Sequence, residues 1–75
     1  MAKKSAGADS VYKIVEVVGT SPTSWEEAGK RAVQAASKTL RDLRIAEVVK
    51  QDMAIENGKV VAYRTRMLLS FKYQA

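Results

Sequence analysis

The pair Asn57-Gly58 separates two long β-rich segments, and it constrains the fold of this chain more than any other feature. An Asn-Gly pair between such segments is the strongest short-range signal for a β-hairpin. Residues 45–55 and 61–73 therefore predict the second and third strands of an antiparallel hairpin. Apolar side chains occupy most odd positions of the later segment, so one face of this hairpin is predicted to be buried.

A strand and a helix are predicted upstream of the hairpin. Residues 11–18, VYKIVEVV, are rich in β-branched side chains and predict the first strand. Glycine, proline and hydroxyl residues at 19–24 then predict a turn. Small and apolar residues recur at helical spacing over 25–43, which predicts a helix with an alanine-rich stripe facing the sheet.

Both ends of this helix carry recognisable signals. At its start, a capping box is predicted in one of two registers, Ser24 with Glu27 or Thr23 with Glu26. Near its end, basic side chains are expected to complement the helix dipole, namely Lys38, Arg41 and Arg44.

These elements predict an α+β fold in β-α-β-β order, a three-stranded antiparallel sheet with one helix packed on one face. A 75-residue chain has a thin core, and this sheet keeps its other face and its edges uncovered. We therefore expect a closed homo-oligomer rather than a monomer. Residues 1–10 are small and polar and are predicted to form a disordered tail, which leaves 11–75 as a single domain.

Composition excludes several classes of function. The chain has no cysteine and no histidine, which removes the usual zinc sites and imidazole or thiol catalysis, so we do not expect an enzyme. It has no apolar run long enough to cross a bilayer and no apolar signal segment, so no membrane partner and a cytoplasmic location are expected. The net charge of +5 leaves a basic nucleic-acid-binding module as an alternative, which the absence of an RNA-binding motif disfavours.

Several short segments together resemble the dodecin family over residues 11–73. The resemblance rests on VEVVGTSP at 15–22, WEEA at 25–28, AEVVKQ at 46–51, YRT at 63–65 and SF at 70–71. It implies a subunit whose sheet wraps its helix, and a hollow homododecamer with small-ligand pockets between subunits and ion sites near the symmetry axes. It also implies a non-enzymatic role in binding, storing or buffering a small ligand or ion.

The flavin-binding positions of the family are substituted in this chain. Dodecins typically stack a flavin such as FMN or riboflavin on a tryptophan and hold it with a glutamine, and the matching residues here are Ile45 and Arg64. Ile45 has no aromatic face, so about 0.5 to 1.5 kcal/mol of stacking per aromatic pair is lost. Impaired flavin binding is therefore expected, with flavin binding despite the substitution as the alternative. Trp25, at the helix start, is interpreted as a packing residue rather than a ligand platform.

A branch of the family, the calcium dodecins, resembles this chain in TSPTSWE, in QDMA and in the two substituted positions. That resemblance implies bound calcium, which prefers six to eight oxygen ligands. The chain has no EF-hand loop, so ligands would come from separated residues. The candidates are Glu47, Asp52, Glu56 and Asn57, and the alternative is that they are solvated strand and hairpin residues.

Arg64 and Arg66 form a second candidate site. Two residues apart on a strand, they are predicted to share the face opposite the helix. Arginine binds carboxylate or phosphate through paired N–H groups, so a small anionic ligand is expected there. The alternative is an inter-subunit salt bridge with Glu16 or Glu47.

Overall fold

The computed structural model describes residues 11–72, which form four elements in the predicted β-α-β-β order. They are β1 (Tyr12–Ser21), α1 (Trp25–Ser37), β2 (Leu43–Glu56) and β3 (Lys59–Lys72). The sheet is antiparallel with the strand order β1-β3-β2, so β3 is central and β1 and β2 are its edges. The α+β prediction is confirmed. The predicted tail, 1–10, and the last three residues of the predicted domain lie outside the described residues.

The core lies between α1 and the sheet, mainly over β1 and β3. Its buried apolar residues are Ala28, Ala32, Met67 and Leu69. Alanine on the helix brings the two backbones close together, and Gly19 of β1 completes this approach. A Cβ at Gly19 would overlap the carbonyl oxygen of Ala28 and lie 2.9 Å from the Cβ of Ala32. The alanine stripe predicted from the sequence therefore faces the sheet.

The start of α1 follows the first of the two predicted registers. Ser24 is the N-cap, and its Oγ accepts a hydrogen bond from the backbone N–H of Glu27 at 3.0 Å. The carboxylate of Glu27 instead accepts a hydrogen bond from Arg31 Nε at 3.1 Å, one turn later. The helix thus has the serine half of a capping box together with an exposed i,i+4 ion pair.

The predicted end of the helix at residue 43 is wrong, because α1 ends at Ser37. Ser37 Oγ and Thr39 Oγ1 donate to backbone carbonyls of the last turn. The backbone N–H groups of residues 38–40 donate to the carbonyls of Ala35 and Ala36. Asp42 then adopts a φ of 59°, which takes the chain out of helical geometry and into β2.

The basic complement predicted for the end of the helix dipole is reduced to Lys38, which lies at the C-cap. The last turn of α1 contains no basic residue. Because the helix stops early, Lys38 is its C-cap, Arg41 follows the helix, and Arg44 lies in β2.

The hairpin between β2 and β3 turns at the predicted pair. Asn57 has a φ of 51° and Gly58 a φ of 76°, the positive values that a type I′ turn requires at both central residues. β1 pairs with β3 only between residues 63 and 72, so the turn end of the hairpin extends beyond β1 as two strands. The described chain is correspondingly elongated, 54 × 20 × 17 Å.

Large apolar side chains are exposed along much of the sheet. They include Val11, which precedes β1, and residues of all three strands: Tyr12, Ile14, Val18, Ile45, Val48, Val49, Met53, Ile55, Val60 and Val61. Large exposed apolar side chains spread along a sheet in this way are typical of a surface that other chains cover. Within residues 11–72, no helix is long and apolar enough to span a membrane.

Candidate functional site

The face of the sheet opposite α1, called the outer face here, carries the charged residues singled out from the sequence. Arg64 and Arg66 both lie on it, as predicted. Arg64 is paired across strands with Thr20 of β1 and Asp52 of β2. Directly opposed residues of antiparallel strands share a face, so Asp52 belongs to the outer face too.

A β-bulge in β2 places Asp52 there. The register shifts between Val48 and Lys50, so that Val48 is opposite Met67 on the helix side and Lys50 is opposite Arg66 on the outer face. In an unbroken strand, residues 48, 50 and 52 would all share one face. The extra residue, Val49, therefore moves Lys50 and Asp52 to the side of the arginines.

Arg64 and Asp52 form a bidentate ion pair. Arg64 Nε donates to Asp52 Oδ1 at 2.7 Å, and Arg64 Nη2 donates to Asp52 Oδ2 at 2.9 Å. The hydrogen bonds from Arg64 lower the pKa of the Asp52 carboxyl below its ordinary value, and the positive charges of Arg64, Arg66 and Lys50 act in the same direction. Both carboxylate oxygens of this candidate metal ligand are thus occupied by the arginine.

Arg66 is paired with Glu16 of β1. Its Nη1 lies 3.3 Å from Glu16 Oε2, a single contact between exposed side chains. Glu16 is one of the two partners predicted for an inter-subunit salt bridge, and here it is reached within one chain. Glu47, the other predicted partner, lies in β2. Glu16 and Glu47 are both paired with Leu68, so they share the outer face and β3 lies between them.

Trp25 connects the start of α1 to the β2–β3 hairpin beside this ion pair. Its indole Nε1–H donates to the backbone carbonyl of Asp52 at 3.0 Å, and its own carbonyl accepts from Thr65 Oγ1 at 2.9 Å. Its ring meets that of Tyr63 edge-on, with centroids 5.0 Å apart. These contacts agree with the interpretation of Trp25 as a packing residue.

The four candidate calcium ligands do not form a cluster. Among residues 11–72, no group of three or more acidic side chains could hold a metal ion. Glu56 and Asn57 lie together at the hairpin turn, whereas Glu47 and Asp52 occupy separate positions of β2. One chain by itself therefore does not supply the oxygen set that calcium prefers.

Ile45 and Arg64, the substituted flavin positions, lie apart in one chain. Ile45 lines an open cavity of about 160 Å³ between α1 and the start of β2. Its other lining residues are Val33, Leu43, Arg44, Ala46 and Leu69. Ile45 is paired with Ser70, so its side chain lies on the outer face with that of Arg64, and it offers no aromatic surface on which a flavin ring could stack.

Comparison with known proteins decides the family. The dodecin family model matches residues 11–74, which include every described residue. This chain belongs to the dodecin family. The resemblance seen in the short sequence segments is thereby confirmed.

Particular dodecins are similar over most of their length. A calcium dodecin from Mycobacterium tuberculosis is 48% identical over 63 residues, which cover 84% of this chain and 89% of that protein. The solved structure of a calcium-chelating calcium dodecin from the same organism covers 85% of this chain and 91% of its own, with a TM-score of 0.77. The dodecin from Streptomyces coelicolor is 37% identical, with a TM-score of 0.85 over 91% of this chain and 97% of its own.

Proposed function

We propose that this dodecin is a non-enzymatic binding and storage protein that assembles into a homododecameric shell and holds small ligands or ions between its subunits. The observation that best supports this assembly is the apolar surface of the sheet that no other part of the described chain covers. Ile55 and Val60, paired across the projecting hairpin, are 62% and 47% exposed. A two-stranded ribbon is marginal in water without a covered apolar face, so further copies of the chain are its expected cover.

Calcium is the ion that we propose for this shell. A relative 48% identical to this chain is described as calcium-chelating. Because one chain does not bring three carboxylates together, the proposed site takes its ligands from more than one copy. Glu47, Asp52, Glu56 and Asn57 stay the candidates. Asp52 is available only after its pair with Arg64 opens.

Flavin binding is proposed to be weaker than in dodecins that have the stacking tryptophan. Ile45 is exposed and contributes only aliphatic surface to its cavity. An aliphatic side chain still buries apolar area against a ring, but it provides no offset stacking. Residual flavin binding through area burial is the alternative, and titration with riboflavin distinguishes the two.

A small anion is a second ligand class, proposed for Arg66. Lys50 lies directly opposite Arg66 on the outer face, and two like charges at such a pair destabilise each other. Glu16 offsets the charge of Arg66 through one exposed contact at 3.3 Å, and a phosphate or carboxylate group that replaced this contact could bind both Arg66 and Lys50. Phosphate binding should then weaken in both Lys50→Gln and Arg66→Gln, but not in Lys30→Gln, which removes an exposed charge from α1.

Native mass spectrometry of the purified protein tests the main proposal, because one spectrum reports the copy number and any retained mass. We expect a dodecamer without a flavin-sized adduct, carrying small mass increments that a calcium chelator removes. A monomer or dimer would contradict the assembly and favour the nucleic-acid alternative, which a salt titration of RNA binding would then test. A dodecamer that retains flavin would contradict the proposed loss of flavin affinity.

A further inference from the structure

The cavity between α1 and the start of β2 lies on the helix side of the sheet. The alanine stripe of α1 packs on β1 and β3, and the helix hardly touches β2. Leu43 and Ala46 of β2 are paired with Phe71 and Leu69, which lie on the helix side of β3. A cavity of about 160 Å³ is left beneath them, and Val33 closes it from the helix.

The cavity combines aliphatic walls with one charged side chain. Val33 and Leu43 pack against the core cluster that contains Leu69, so these walls are held in place. Among the described residues that line the cavity, only Arg44 is charged. The register shift between Leu43 and Ile45 makes Arg44 the extra residue of a β-bulge. Apolar walls with one polar group suit a ligand that has an apolar body and one negative charge.

The guanidinium group of Arg44 is able to bind such a charge. Its Nη2 lies 3.9 Å from Asp42 Oδ1, beyond hydrogen-bond distance, and the two side chains are 50% and 44% exposed. An exposed ion pair of this kind contributes little to stability, so a ligand can replace it. The backbone of the turn is nevertheless fixed, because the Lys72 N–H donates to the Asp42 carbonyl at 3.1 Å.

The volume of the cavity sets the size of the apolar part of the ligand. In other proteins, an apolar cavity of about 150 Å³ holds benzene. We infer that this cavity binds a small organic acid, a carboxylate attached to an apolar group of about six carbon atoms. The apolar group lies among Val33, Leu43 and Leu69, and the carboxylate binds Arg44 through paired N–H groups.

This site goes beyond the proposed function, because its walls come from a single chain. It is also separate from the outer face, where Arg64 and Arg66 lie. Ile45 belongs to the cavity lining, but its pairing with Ser70 directs its side chain to the outer face. The substituted flavin positions and the organic-acid site are therefore on opposite sides of the sheet.

Saturation-transfer NMR with sodium benzoate tests the inference on the assembled protein. Benzoate has a six-carbon ring and one carboxylate, and benzyl alcohol is the control probe with the same ring and no charge. We expect benzoate to bind with a Kd on the order of 1 mM, as for other ligands of so few atoms. Benzyl alcohol should bind about fivefold more weakly, since it forms no ion pair with Arg44.

Substitutions locate the bound probe. Arg44→Gln should weaken benzoate binding about fivefold and leave benzyl alcohol unaffected. Arg41→Gln is the matched control, because it removes the same charge from an exposed residue outside the cavity lining, and its affinity should change less than about twofold. Ala46→Leu fills the cavity from β2 and should abolish binding of both probes. Because Arg44 is exposed, its variant keeps the test independent of any change in packing.

The outcomes are distinct from those that test the assembly and calcium binding. Loss of benzoate binding in Arg44→Gln and Ala46→Leu, but not in Arg41→Gln, would support the inference. No benzoate binding by the assembled parent would overturn it, as would binding that Ala46→Leu leaves unchanged. Equal weakening in Arg66→Gln and Arg44→Gln would also overturn it, because the probe would then bind the outer face. Native mass spectrometry still decides the proposed function in each case.

Discussion

Single atoms decide how closely the helix approaches the sheet. Gly19 lies in β1 under Ala28 and Ala32, where a methyl group would meet a backbone carbonyl that cannot move independently of the helix. Gly29, on the helix, is different, because a methyl group there would lie 3.6 Å from Met67 Sδ and 3.9 Å from Thr65 Cγ2. A methyl group therefore does not fit at Gly19, whereas at Gly29 it would make ordinary van der Waals contacts.

Gly19→Ala should destabilise the fold by about 2 kcal/mol or more, since overpacking forces the helix away from β1. Gly29→Ala is the control and should stabilise it by up to about 1 kcal/mol through helix propensity. Urea unfolding followed by Trp25 fluorescence at fixed protein concentration measures both. Equal effects of the two substitutions would contradict the packing described for Gly19.

Asp52 predicts a specific dependence of stability on pH. Its pKa is lowered in the folded state, mainly by the hydrogen bonds from Arg64. A lowered carboxyl pKa contributes stability that is present above the unfolded value, about 3.9, and is lost as the pH falls through the folded value. Asp52→Asn should therefore be less stable than the parent at pH 7, and the difference should shrink as the pH falls below about 3.9. A urea midpoint difference that persists unchanged at pH 2 would rule out this origin.

A flavin titration at Ile45 tests the loss of aromatic stacking. Ile45→Trp should bind riboflavin measurably tighter than the parent, by several-fold if one aromatic pair is restored at about 0.5 to 1.5 kcal/mol. Ile14→Trp is the matched control, because Ile14 and Ile45 are both paired with Ser70, from opposite sides of β3. Quenching of riboflavin fluorescence reports binding, and equal quenching by the two variants would argue against a role for Ile45.

At the scale of the elements, short-range hydrogen bonds fix both ends of α1. Ser24 accepts from the Glu27 amide at the start, while Ser37 and Thr39 donate to carbonyls of the last turn. Serine and threonine side chains compete with the helical backbone in this way, so they favour helix ends over helix interiors. The early end of the helix leaves Leu43 free to begin β2, where it packs against the core.

Ser24→Ala should cost about 1 kcal/mol, because an orphan amide at the helix start loses its acceptor. Ser37→Ala is the control at the other end, where the serine hydroxyl is an exposed donor, and its effect should be within about 0.5 kcal/mol. Thermal melting by circular dichroism checks both. A larger loss for Ser37→Ala would mean that the C-terminal turn, and not the cap, limits helix stability.

At the scale of the whole molecule, the elongated chain leaves its sheet uncovered. The helix packs mainly on β1 and β3 and hardly touches β2, and the hairpin projects beyond β1. The apolar residues of this projection would therefore bury the most additional surface on contact with other copies of the chain. Assembly and folding are expected to be coupled for this reason.

Ile55→Glu should weaken assembly strongly, since a carboxylate would have to be buried in the proposed contact between copies. Ala35→Glu adds the same charge to the exposed side of α1 and should leave the copy number unchanged. Size-exclusion chromatography with light scattering measures the mass of each variant. An unchanged mass for Ile55→Glu would place the hairpin end outside the contacts that hold the assembly together.

The sequence by itself determined the features that depend on neighbouring residues. Asn57-Gly58 specified the hairpin because both residues accept positive φ, and Ser24 specified the helix start because its acceptor lies three residues from its donor. The shared face of Arg64 and Arg66 followed from the alternation of an unbroken strand. The family also followed from short segments of the chain.

Only the tertiary structure decided which distant residues meet. The bulge at Val49 arises from the way β2 pairs with β3, and a period-2 pattern does not reveal it. That single extra residue moves Asp52 to the outer face, within hydrogen-bond distance of Arg64. A residue expected to be solvated is therefore paired with an arginine. Cross-strand partners are set by register, and register is a property of two strands together rather than of either strand alone.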